Sequence, residues 1–191
     1  MDLIFASHNS HKINELKTIL PTGFTLKGLP EMNFHEEIPE TGLTLDENAL
    51  IKARTIFNRF GLTTISDDTG LEIEALDGAP GVWSARFAGA ESNSEKNMNK
   101  VLTLLNDHAN RKAQFKTVMA LIMNGNEYLF EGVVKGTILK APRGNAGFGY
   151  DPVFQPEGYN CSFAEMVPSQ KNKISHRGRA VEALLNFLKS V

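Results

Sequence analysis

Two β-rich runs in the middle of this chain are joined by a short turn signal, and they constrain its fold more than any other feature. The runs cover residues 115–123 and 127–134, with Asn124-Gly125-Asn126 between them. Asn-Gly favours a tight hairpin turn, so the two runs are predicted to pair antiparallel. Residues 3–6 form another strand-like run that leads through a loop into a helical pattern. The sequence therefore predicts an α/β protein with a mixed β-sheet.

Helices are predicted from capping residues and apolar spacing. Thr44-x-x-Glu47 and Ser92-x-x-Glu95 are capping boxes ahead of apolar residues at helical spacing, and Gly61 is expected to end the first of these helices. Ser10 is expected to cap an earlier helix, and a last helix is expected to begin near residues 175–179. Helices at both ends around a strand-rich middle favour long strands shared by two lobes, with a cleft between them.

Length and composition limit the class of protein. The chain has 191 residues, 41% of them hydrophobic, without repeats or a linker, so we expect one domain over residues 1–191. A formal net charge of -2 argues against coating a nucleic acid or an anionic membrane. Cys161 is the only cysteine, which favours a reducing, cytoplasmic location, and we expect no signal peptide and no membrane span. Trp83 is expected in the core, with an interface as the alternative.

Two adjacent carboxylates follow the β-branched run at 62–65, within Ser66-Asp67-Asp68-Thr69-Gly70. A strand that stops at acids followed by glycine holds carboxylate oxygens where a divalent cation and a phosphate can both reach them. Asp, Thr and Gly are also ordinary turn residues, so the motif alone fits a loop equally well.

Charge is distributed unevenly along the chain. Six acids and no Lys or Arg lie between Lys27 and Lys52, whereas residues 166–181 are basic without any acid. These segments suit a ligand with a metal on one side and bare phosphate on the other, or are solvated surfaces.

The segment Ser7-His8-Asn9-Ser10-His11-Lys12 follows the first predicted strand and opens a helix. Free backbone N–H groups and the positive end of the helix dipole gather at such a place, and both favour anions. Lys12 could place its ammonium on a phosphate oxygen, with Ser7 and Asn9 as further donors. The alternative is a polar capping loop with a solvated lysine. The glycine spacing of a Walker loop is absent from this segment.

Two later segments are candidates for binding a planar ligand. In Ala146-Gly147-Phe148-Gly149-Tyr150-Asp151-Pro152, glycines on both sides of Phe148 permit close backbone approach, and the ring could stack on a base. The alternative is a core phenylalanine at the entry to a strand. Ser175-His176-Arg177 places cations at a helix N-terminus, where the dipole disfavours them, so a bound anion or a carbonyl-rich ligand would explain them. Otherwise they are surface residues.

Six groups of residues follow one another along nearly the whole chain. They are Ser7-x-Asn9-x-x-Lys12, Glu40-Thr41-Gly42 with Glu47-Asn48-Ala49, Asp67-Asp68-Thr69-Gly70-Leu71, Gly78-Ala79-Pro80-Gly81 with Ser84-Ala85-Arg86, Phe148-Gly149-Tyr150-Asp151-Pro152, and Ser175-His176-Arg177. In these residues the chain resembles the inosine/xanthosine triphosphate pyrophosphatase family, which hydrolyses non-standard purine nucleoside triphosphates to the monophosphate and pyrophosphate. The family often has Thr where Ser7 stands and Ser where Thr69 stands, and both changes keep a hydroxyl.

The resemblance implies a fold and a set of site residues. The implied fold is an elongated mixed β-sheet flanked by helices, with two lobes and a central cleft. The implied oligomeric state is a homodimer. The phosphate loop falls on residues 7–12, and the ligands of magnesium (Mg²⁺) fall on Glu40 and Asp68, although Glu37 is close enough to be confused with Glu40. Asp68 also matches the general base. The other substrate-binding positions are Thr69, Phe148, whose ring stacks on the purine, Gly149, Tyr150, Asp151, Lys171, His176 and Arg177.

The expected reaction is cleavage between the α and β phosphates of ITP, dITP or XTP by an in-line water. Asp68 would orient and deprotonate that water, while Mg²⁺ and Lys12 neutralise charge. A 6-keto purine accepts hydrogen bonds from Lys171 or Arg177, whereas adenine presents an amino group to these donors. The alternative is a related-fold pyrophosphatase for other modified nucleotides, such as methylated pyrimidine triphosphates. Asp67-Asp68 lacks the Asp-x-Asp spacing of a haloacid-dehalogenase-type phosphatase, and the acidic loop argues against an RNA-binding module. We expect no nucleic acid polymer and no membrane as partners.

Overall fold

The computed structural model describes residues 1–190, which form seven strands, five α-helices and several short 3-10 turns. The strands are β1 (Asp2–Phe5), β2 (Thr25–Gly28), β3 (Thr64–Ile73), β4 (Pro80–Gly81), β5 (Lys112–Met123), β6 (Asn126–Ile138) and β7 (Phe154–Pro156). The helices are α1 (Ser10–Ile19), α2 (Leu45–Phe60), α3 (Ser94–Leu104), α4 (Pro168–Ile174) and α5 (His176–Leu188). No helix within residues 1–190 has the length and apolar character needed to cross a membrane.

All seven strands belong to one mixed sheet, in the order β2-β1-β3-β5-β6-β7, with β4 paired to β3. β1 is parallel to both β2 and β3, whereas β4 is antiparallel to β3 and β7 is antiparallel to β6. β5 and β6 form the predicted hairpin. Asn124 and Gly125 between them have φ of 53° and 77°, the left-handed values that a tight hairpin turn requires. The prediction of a mixed sheet flanked by helices is confirmed.

The acid pair lies inside β3 and not at its end. The sequence predicted that the strand stops at Asp67 and Asp68, but β3 continues to Ile73. Beyond the acids, Leu71 pairs with Gly81 of β4, which extends the strand. Gly70 makes this pairing possible, because a side-chain carbon there would lie 2.7 Å from the carbonyl oxygen of Gly81.

The chain divides into two compact units, and β3, β5 and β6 each contribute residues to both. The first unit contains residues 1–68, 117–132 and the chain from 179 onward, and the second contains residues 69–116 and 133–178. The sequence predicted two lobes without a separable linker. That residues 1–191 act as a single pyrophosphatase domain stays a prediction.

In the first unit, β1 separates two groups of apolar side chains, because successive residues of a strand point to opposite faces. Leu3 and Phe5 belong to a cluster that includes side chains of α1 and α5. Ile4 and Ala6 belong to a different cluster that includes Ile56 of α2. The helices α1 and α5 therefore cover one face of this part of the sheet, and α2 covers the other.

The core of the second unit is rich in aromatic rings. Phe115 of β5 and Phe154 of β7 pack edge to face with 4.7 Å between ring centroids, and Phe163 packs against both. Val101 and Leu105 close this core from the side of α3. A separate groove of about 1000 Å³ in this unit is lined largely by polar residues of β3, β5, β6 and β7, and none of the predicted site residues lines it.

The helix ends show where local sequence signals suffice. The capping box of Thr44 and Glu47 is present with both of its hydrogen bonds, and Gly61 ends α2 with a φ of 66°. The second predicted capping box, Ser92-x-x-Glu95, places the start of the helix one residue too early. Asn93 caps α3 because its side-chain oxygen accepts the backbone N–H of Lys96, whereas Ser92 adopts a left-handed φ of 49°.

Trp83 lies at the surface, so its predicted place in the core is wrong. Its side chain is 56% exposed, and the guanidinium carbon of Arg86 lies 5.7 Å from its ring centroid. The adjacent Ser84 takes the buried position in this turn. Its carbonyl oxygen accepts the hydroxyl of Tyr150 at 2.8 Å, which fixes the loop to the core of the second unit.

Candidate active site

Asp67 and Asp68 have different partners because successive strand residues point to opposite faces. Oδ1 of Asp67 lies 3.0 Å from Nζ of Lys12 on α1. Oδ1 of Asp68 lies 3.3 Å from Nζ of Lys52 on α2. Both carboxylates are buried, at 2% and 8% exposure. The motif thus supplies two acids that meet cations from opposite sides of the sheet.

Lys52 connects Asp68 to Glu40. Its Nζ lies 2.5 Å from Oε1 of Glu40 and 3.3 Å from Oδ1 of Asp68, and the residue is 8% exposed. Burial acts to lower the pKa of Lys52, but attraction to Asp68, Glu40 and Asp67 outweighs burial and raises it. Lys52 is therefore a buried, protonated cation at neutral pH.

The segment that carries Glu40 is tied to the start of α2. The backbone N–H of Gly42 donates to Oδ1 of the buried Asn48 at 2.8 Å. A side chain at position 42 would collide with this helix, since its first carbon would lie 2.6 Å from Cβ of Glu47. These contacts keep Glu40 beside Lys52, whereas Glu37 is exposed.

Several neighbouring charges and burial together shift the pKa of Asp68. Burial raises the pKa of Asp68, Glu40 and Asp67 raise it further, and Lys52 and Lys12 oppose that rise. Within residues 1–190, its buried Oδ2 has no hydrogen-bond partner. A buried carboxylate oxygen without a donor is costly, so this atom is suited to a cation or to a water molecule that it activates.

Glu40 and Asp68 are the carboxylates that this cluster offers to a metal ion. No group of three or more His, Cys, Asp or Glu side chains suited to a metal is gathered in the described part of the chain. Mg²⁺ commonly binds through one or two carboxylates and completes its shell with water and substrate phosphates. The donor set therefore fits Mg²⁺ better than it fits a structural zinc or calcium ion.

Residues 7–9 lie in the turn between β1 and α1, and residues 10–12 form the first turn of α1. Asn9 caps α1, where Ser10 was predicted to do so, because the side-chain oxygen of Asn9 accepts the backbone N–H groups of His11 and Lys12 at 3.0 and 3.2 Å. Oγ of Ser7 accepts the N–H of Asn9 at 3.2 Å. Since the oxygen of Asn9 serves the cap, its amide nitrogen is the group of this side chain that can donate a hydrogen bond to a ligand.

The His8 side chain contacts Phe34. Its Nε2 lies 2.9 Å from the carbonyl oxygen of Phe34, and the two rings stack with 6.3 Å between centroids. Ser10 and His11 are exposed in the first turn of α1. The six predicted phosphate-loop residues thus lie in the loop after β1 and the first turn of α1, and the imidazole of His8 contacts the segment that follows β2.

The second unit gathers the predicted base-binding residues around Phe148. This ring is half-buried, and Nζ of Lys171 and Cζ of Arg177 lie 5.2 and 5.5 Å from its centroid. Nζ of Lys171 also lies 2.7 Å from Oδ2 of Asp151. A half-buried ring with two cations over it is a candidate site for a planar ligand that carries hydrogen-bond acceptors.

A sharp break between two helices brings these cations together. α4 ends at Ile174 and α5 begins at His176. Gly178 permits the break, because a side-chain carbon there would lie 1.8 Å from the carbonyl oxygen of Asn172. Oγ of Ser175 accepts the N–H of Gly178 at 3.1 Å and helps to start α5.

Two predicted ligand-binding side chains lie in the core of the second unit. The His176 ring is 5% exposed and stacks on Phe115 with 4.5 Å between centroids. The Tyr150 side chain is also 5% exposed, and burial raises the pKa of its hydroxyl. Gly149 precedes Tyr150 with a φ of 64°, and Thr69 is half-buried directly after Asp68.

Lys52 is the residue that the sequence analysis missed. A signal for it exists, because Lys52 occupies the same helical face as the buried residues Ala49, Ala53 and Ile56. A charged residue inside the apolar stripe of a helix needs a buried partner. The acids of β3 and Glu40 are those partners.

Comparison with known proteins places the chain in a family. The Ham1 family model matches residues 3–187. A dITP/XTP pyrophosphatase of Flavobacterium psychrophilum is 49% identical over 190 residues, 100% of both chains, and one of Porphyromonas gingivalis is 52% identical over 187 residues, 97% of this chain and 96% of the relative. The solved structure of a HAM1 protein from Coxiella burnetii matches with a TM-score of 0.93 and 39% identity over 100% of both chains. These matches confirm the resemblance found in the sequence, and this chain belongs to the Ham1 family.

Proposed function

We propose that this chain hydrolyses ITP, dITP and XTP to the nucleoside monophosphate and pyrophosphate. The observation that carries the proposal is the buried Asp68 carboxylate. Its Oδ2 is without a hydrogen-bond donor in residues 1–190, while its Oδ1 pairs with Lys52, which also pairs with Glu40. The substrate class is supported by the relatives named dITP/XTP pyrophosphatase.

Mg²⁺ is the cofactor that we propose, held by Glu40 and Asp68. When bound, it would neutralise charge on the phosphates and polarise the oxygens that it contacts. Glu40 is favoured over Glu37 because Glu40 shares Lys52 with Asp68, whereas Glu37 is exposed. The two carboxylates leave room in the cation's shell for substrate and water.

Asp68 acts as the general base in this proposal. Without a metal ion, burial raises the pKa of its carboxyl and Lys52 opposes that rise. The atom available to accept a proton is Oδ2, which has no hydrogen-bond donor within residues 1–190. The proton from the attacking water is accepted at Oδ2, while Oδ1 remains oriented by Lys52. Asp67 supports the arrangement by fixing Lys12.

The first unit supplies the donors for the triphosphate. Lys12 and Lys52 provide two ammonium groups, and residues 7–12 add the N-terminus of α1. Charge neutralisation and alignment of the water account for most of the catalysis of phosphoryl transfer, so little covalent participation by the protein is required.

The second unit supplies the groups for the base. The Phe148 ring would stack on the purine, and Lys171 and Arg177 beside it would donate to a 6-keto oxygen. An adenine amino group would leave these buried donors unsatisfied, which is how one exocyclic group produces a large difference in rate.

The reaction is tested by assaying a panel of nucleotides with Mg²⁺. We expect pyrophosphate release from ITP, dITP and XTP, and a much lower kcat/KM for ATP and methylated pyrimidine triphosphates. Release of orthophosphate alone would overturn the reaction class. A preference for a methylated pyrimidine triphosphate would reassign the substrate to the related-fold alternative.

Asp68→Asn tests the role of the base. We expect a folded protein that binds ITP but hydrolyses it several orders of magnitude more slowly, since general acid–base catalysis is worth roughly 100- to 10,000-fold and the metal ligand is weakened as well. Asp107→Asn makes the same chemical change at an exposed position and should leave turnover unchanged. Near-normal turnover in Asp68→Asn would contradict the assignment.

We also propose a cytoplasmic homodimer, the state that the family resemblance implies. Light scattering during size-exclusion chromatography should give twice the chain mass, and fractionation of the source cells should recover the activity with the cytoplasm. A monomer with full activity would contradict the dimer proposal.

A further inference from the structure

A short segment, residues 41–44, joins Glu40 to α2 without helix or strand structure. Apolar packing does not hold this segment, since its one large apolar side chain, Leu43, is 82% exposed. Its backbone is held instead by Glu47 in the first turn of α2, whose Oε2 accepts the N–H groups of Leu43 and Thr44 at 2.7 and 3.2 Å. Glu47 therefore fixes the end of the segment that is nearest to α2.

Asn48 holds the part of the segment that is nearest to Glu40. This residue is 1% exposed, and its Oδ1 accepts the backbone N–H of Gly42 at 2.8 Å. The contact is close, because a side-chain carbon at position 42 would itself lie 2.8 Å from Oδ1 of Asn48. Since Gly42 is two residues from Glu40, this hydrogen bond fixes the backbone just after the carboxylate.

α2 is in turn fixed to β3 close to Asp68. Oγ of the buried Ser66 donates to the carbonyl oxygen of Ala49 at 2.5 Å. Ser66 lies two residues before Asp68, so the two side chains share one face of β3. Hydrogen bonds of Glu47, Asn48 and Ala49 therefore connect β3 through α2 to the segment that carries Glu40.

We propose that Asn48 is a positioning residue that sets the affinity for Mg²⁺ by fixing the Glu40 segment on α2, without touching the ion. The inference rests on the proposed function, in which Glu40 and Asp68 hold Mg²⁺. This ion demands near-ideal octahedral geometry, so two carboxylates serve it well only when their separation is fixed. Lys52 contacts both carboxylates, but its flexible four-carbon chain can follow Glu40 and does not by itself fix that separation.

Asn48→Ala removes the hydrogen bond to Gly42 and changes no charge. We expect Kd for Mg²⁺ to rise roughly 10- to 100-fold, the usual effect of losing a residue that orients a metal ligand. Urea unfolding at a series of Mg²⁺ concentrations measures this Kd, because an ion that binds only the folded protein stabilises it in proportion to the logarithm of its concentration over Kd. A purely structural role would lower stability in EDTA but would leave the Mg²⁺ dependence unchanged.

Gly42→Ala is the second variant, because it breaks the same hydrogen bond from the other side and leaves Asn48 in place. The added carbon pushes the segment away from Oδ1 of Asn48 and should weaken Mg²⁺ binding by a similar factor. It decides the matter if Asn48→Ala does not fold. The double variant should bind Mg²⁺ little more weakly than either single variant, since both changes remove one interaction.

Asn97→Ala is the matched control in the second unit. Asn97 is 3% exposed, and its Oδ1 accepts the backbone N–H of Ala88 at 2.6 Å, so this change also removes a buried asparagine that holds a loop. It should lower stability in EDTA and keep the wild-type Kd for Mg²⁺. An unchanged Kd in folded Asn48→Ala and Gly42→Ala would overturn the positioning role.

The Mg²⁺ measurement uses no nucleotide, so it is independent of hydrolysis. If the wild type binds Mg²⁺ but releases no pyrophosphate, the proposed reaction fails and the Kd values still test Asn48. If Mg²⁺ does not stabilise the wild type at all, the proposed metal site and the role of Asn48 fail together. In kinetics with ITP, the Mg²⁺ concentration for half-maximal rate should rise in Asn48→Ala while kcat at saturating Mg²⁺ stays close to that of the wild type, whereas loss of a catalytic group would lower kcat.

Discussion

Replacing Lys52 with methionine removes the buried cation between Glu40 and Asp68 and keeps a side chain of similar length. With an effective dielectric constant of about 20, an ammonium 3.3 Å from Asp68 and 2.5 Å from Glu40 gains roughly 5 and 7 kcal/mol of attraction. Desolvation of the ammonium offsets much of this gain, and breaking a buried pair costs about 3–5 kcal/mol on balance. Since Lys52 opposes the rise in the pKa of Asp68, its loss should raise that pKa further.

The loss of stability is measured by unfolding both proteins in urea, once with EDTA present and once with Mg²⁺ present. In EDTA, we expect Lys52→Met to lose about 3–5 kcal/mol of unfolding free energy at neutral pH. Mg²⁺ should stabilise the variant more than the wild type, because the added charge compensates for the missing ammonium. The pKa of Lys52 is raised above 10.5, so the wild-type contribution is complete below that pH and is lost as the pH rises through the raised value.

Arg54→Met is the matched control on the same helix. Arg54 pairs with Glu127 at the surface, with side chains 51% and 37% exposed, so its loss should cost only about 0.2–1 kcal/mol and should not depend on Mg²⁺. The reasoning is refuted if Lys52→Met in EDTA is as stable as Arg54→Met. It is also refuted if Mg²⁺ stabilises Lys52→Met no more than it stabilises the wild type.

Two further predictions concern the second unit. Phe148→Ala should raise KM for ITP with a smaller effect on kcat, because stacking on a base is worth roughly 1–3 kcal/mol, and steady-state kinetics showing an unchanged KM would mean that the ring does not stack on the base. Tyr150→Phe should cost about 0.5–1.5 kcal/mol at neutral pH through the lost hydrogen bond to Ser84. Because burial raises the pKa of Tyr150 above 10.0, its protonated form is favoured in the folded state, and the stability advantage of the wild type should shrink as the pH rises above 10.0. Urea unfolding from pH 8 to 11 measures this difference, and a constant difference would contradict the role of the hydroxyl.

Features encoded by neighbouring residues could be predicted from the sequence. The hairpin follows from Asn124-Gly125, since both residues tolerate positive φ, and the start of α2 follows from the capping box of Thr44 and Glu47. Both signals act within a few residues, so tertiary packing has little opportunity to overrule them.

Features that depend on distant residues were not predicted. β3 passes through the acids because β4 pairs with it from residue 81, and the sequence near Asp68 contains no sign of that partner. Trp83 is exposed because Ser84, held by Tyr150 far along the chain, takes the inner position. At the candidate site, the family resemblance named Asp68 and Glu40. The buried ammonium of Lys52 between them is seen only from the contacts in the structure.

Because the two acids lie within a strand, the site depends on whether the number of residues before them in β3 changes by an odd or an even number. If one residue were deleted from β3 before Asp67, the motif would still read Asp-Asp-Thr-Gly, but every later side chain in the strand would exchange faces. Asp68 would then turn towards α1 and Lys12, and Asp67 would take its place beside α2. Removing two residues would instead return each acid to its own helix. Within β3, an even change in length is compatible with this chemistry and an odd one is not, a distinction that no search for the motif alone can make.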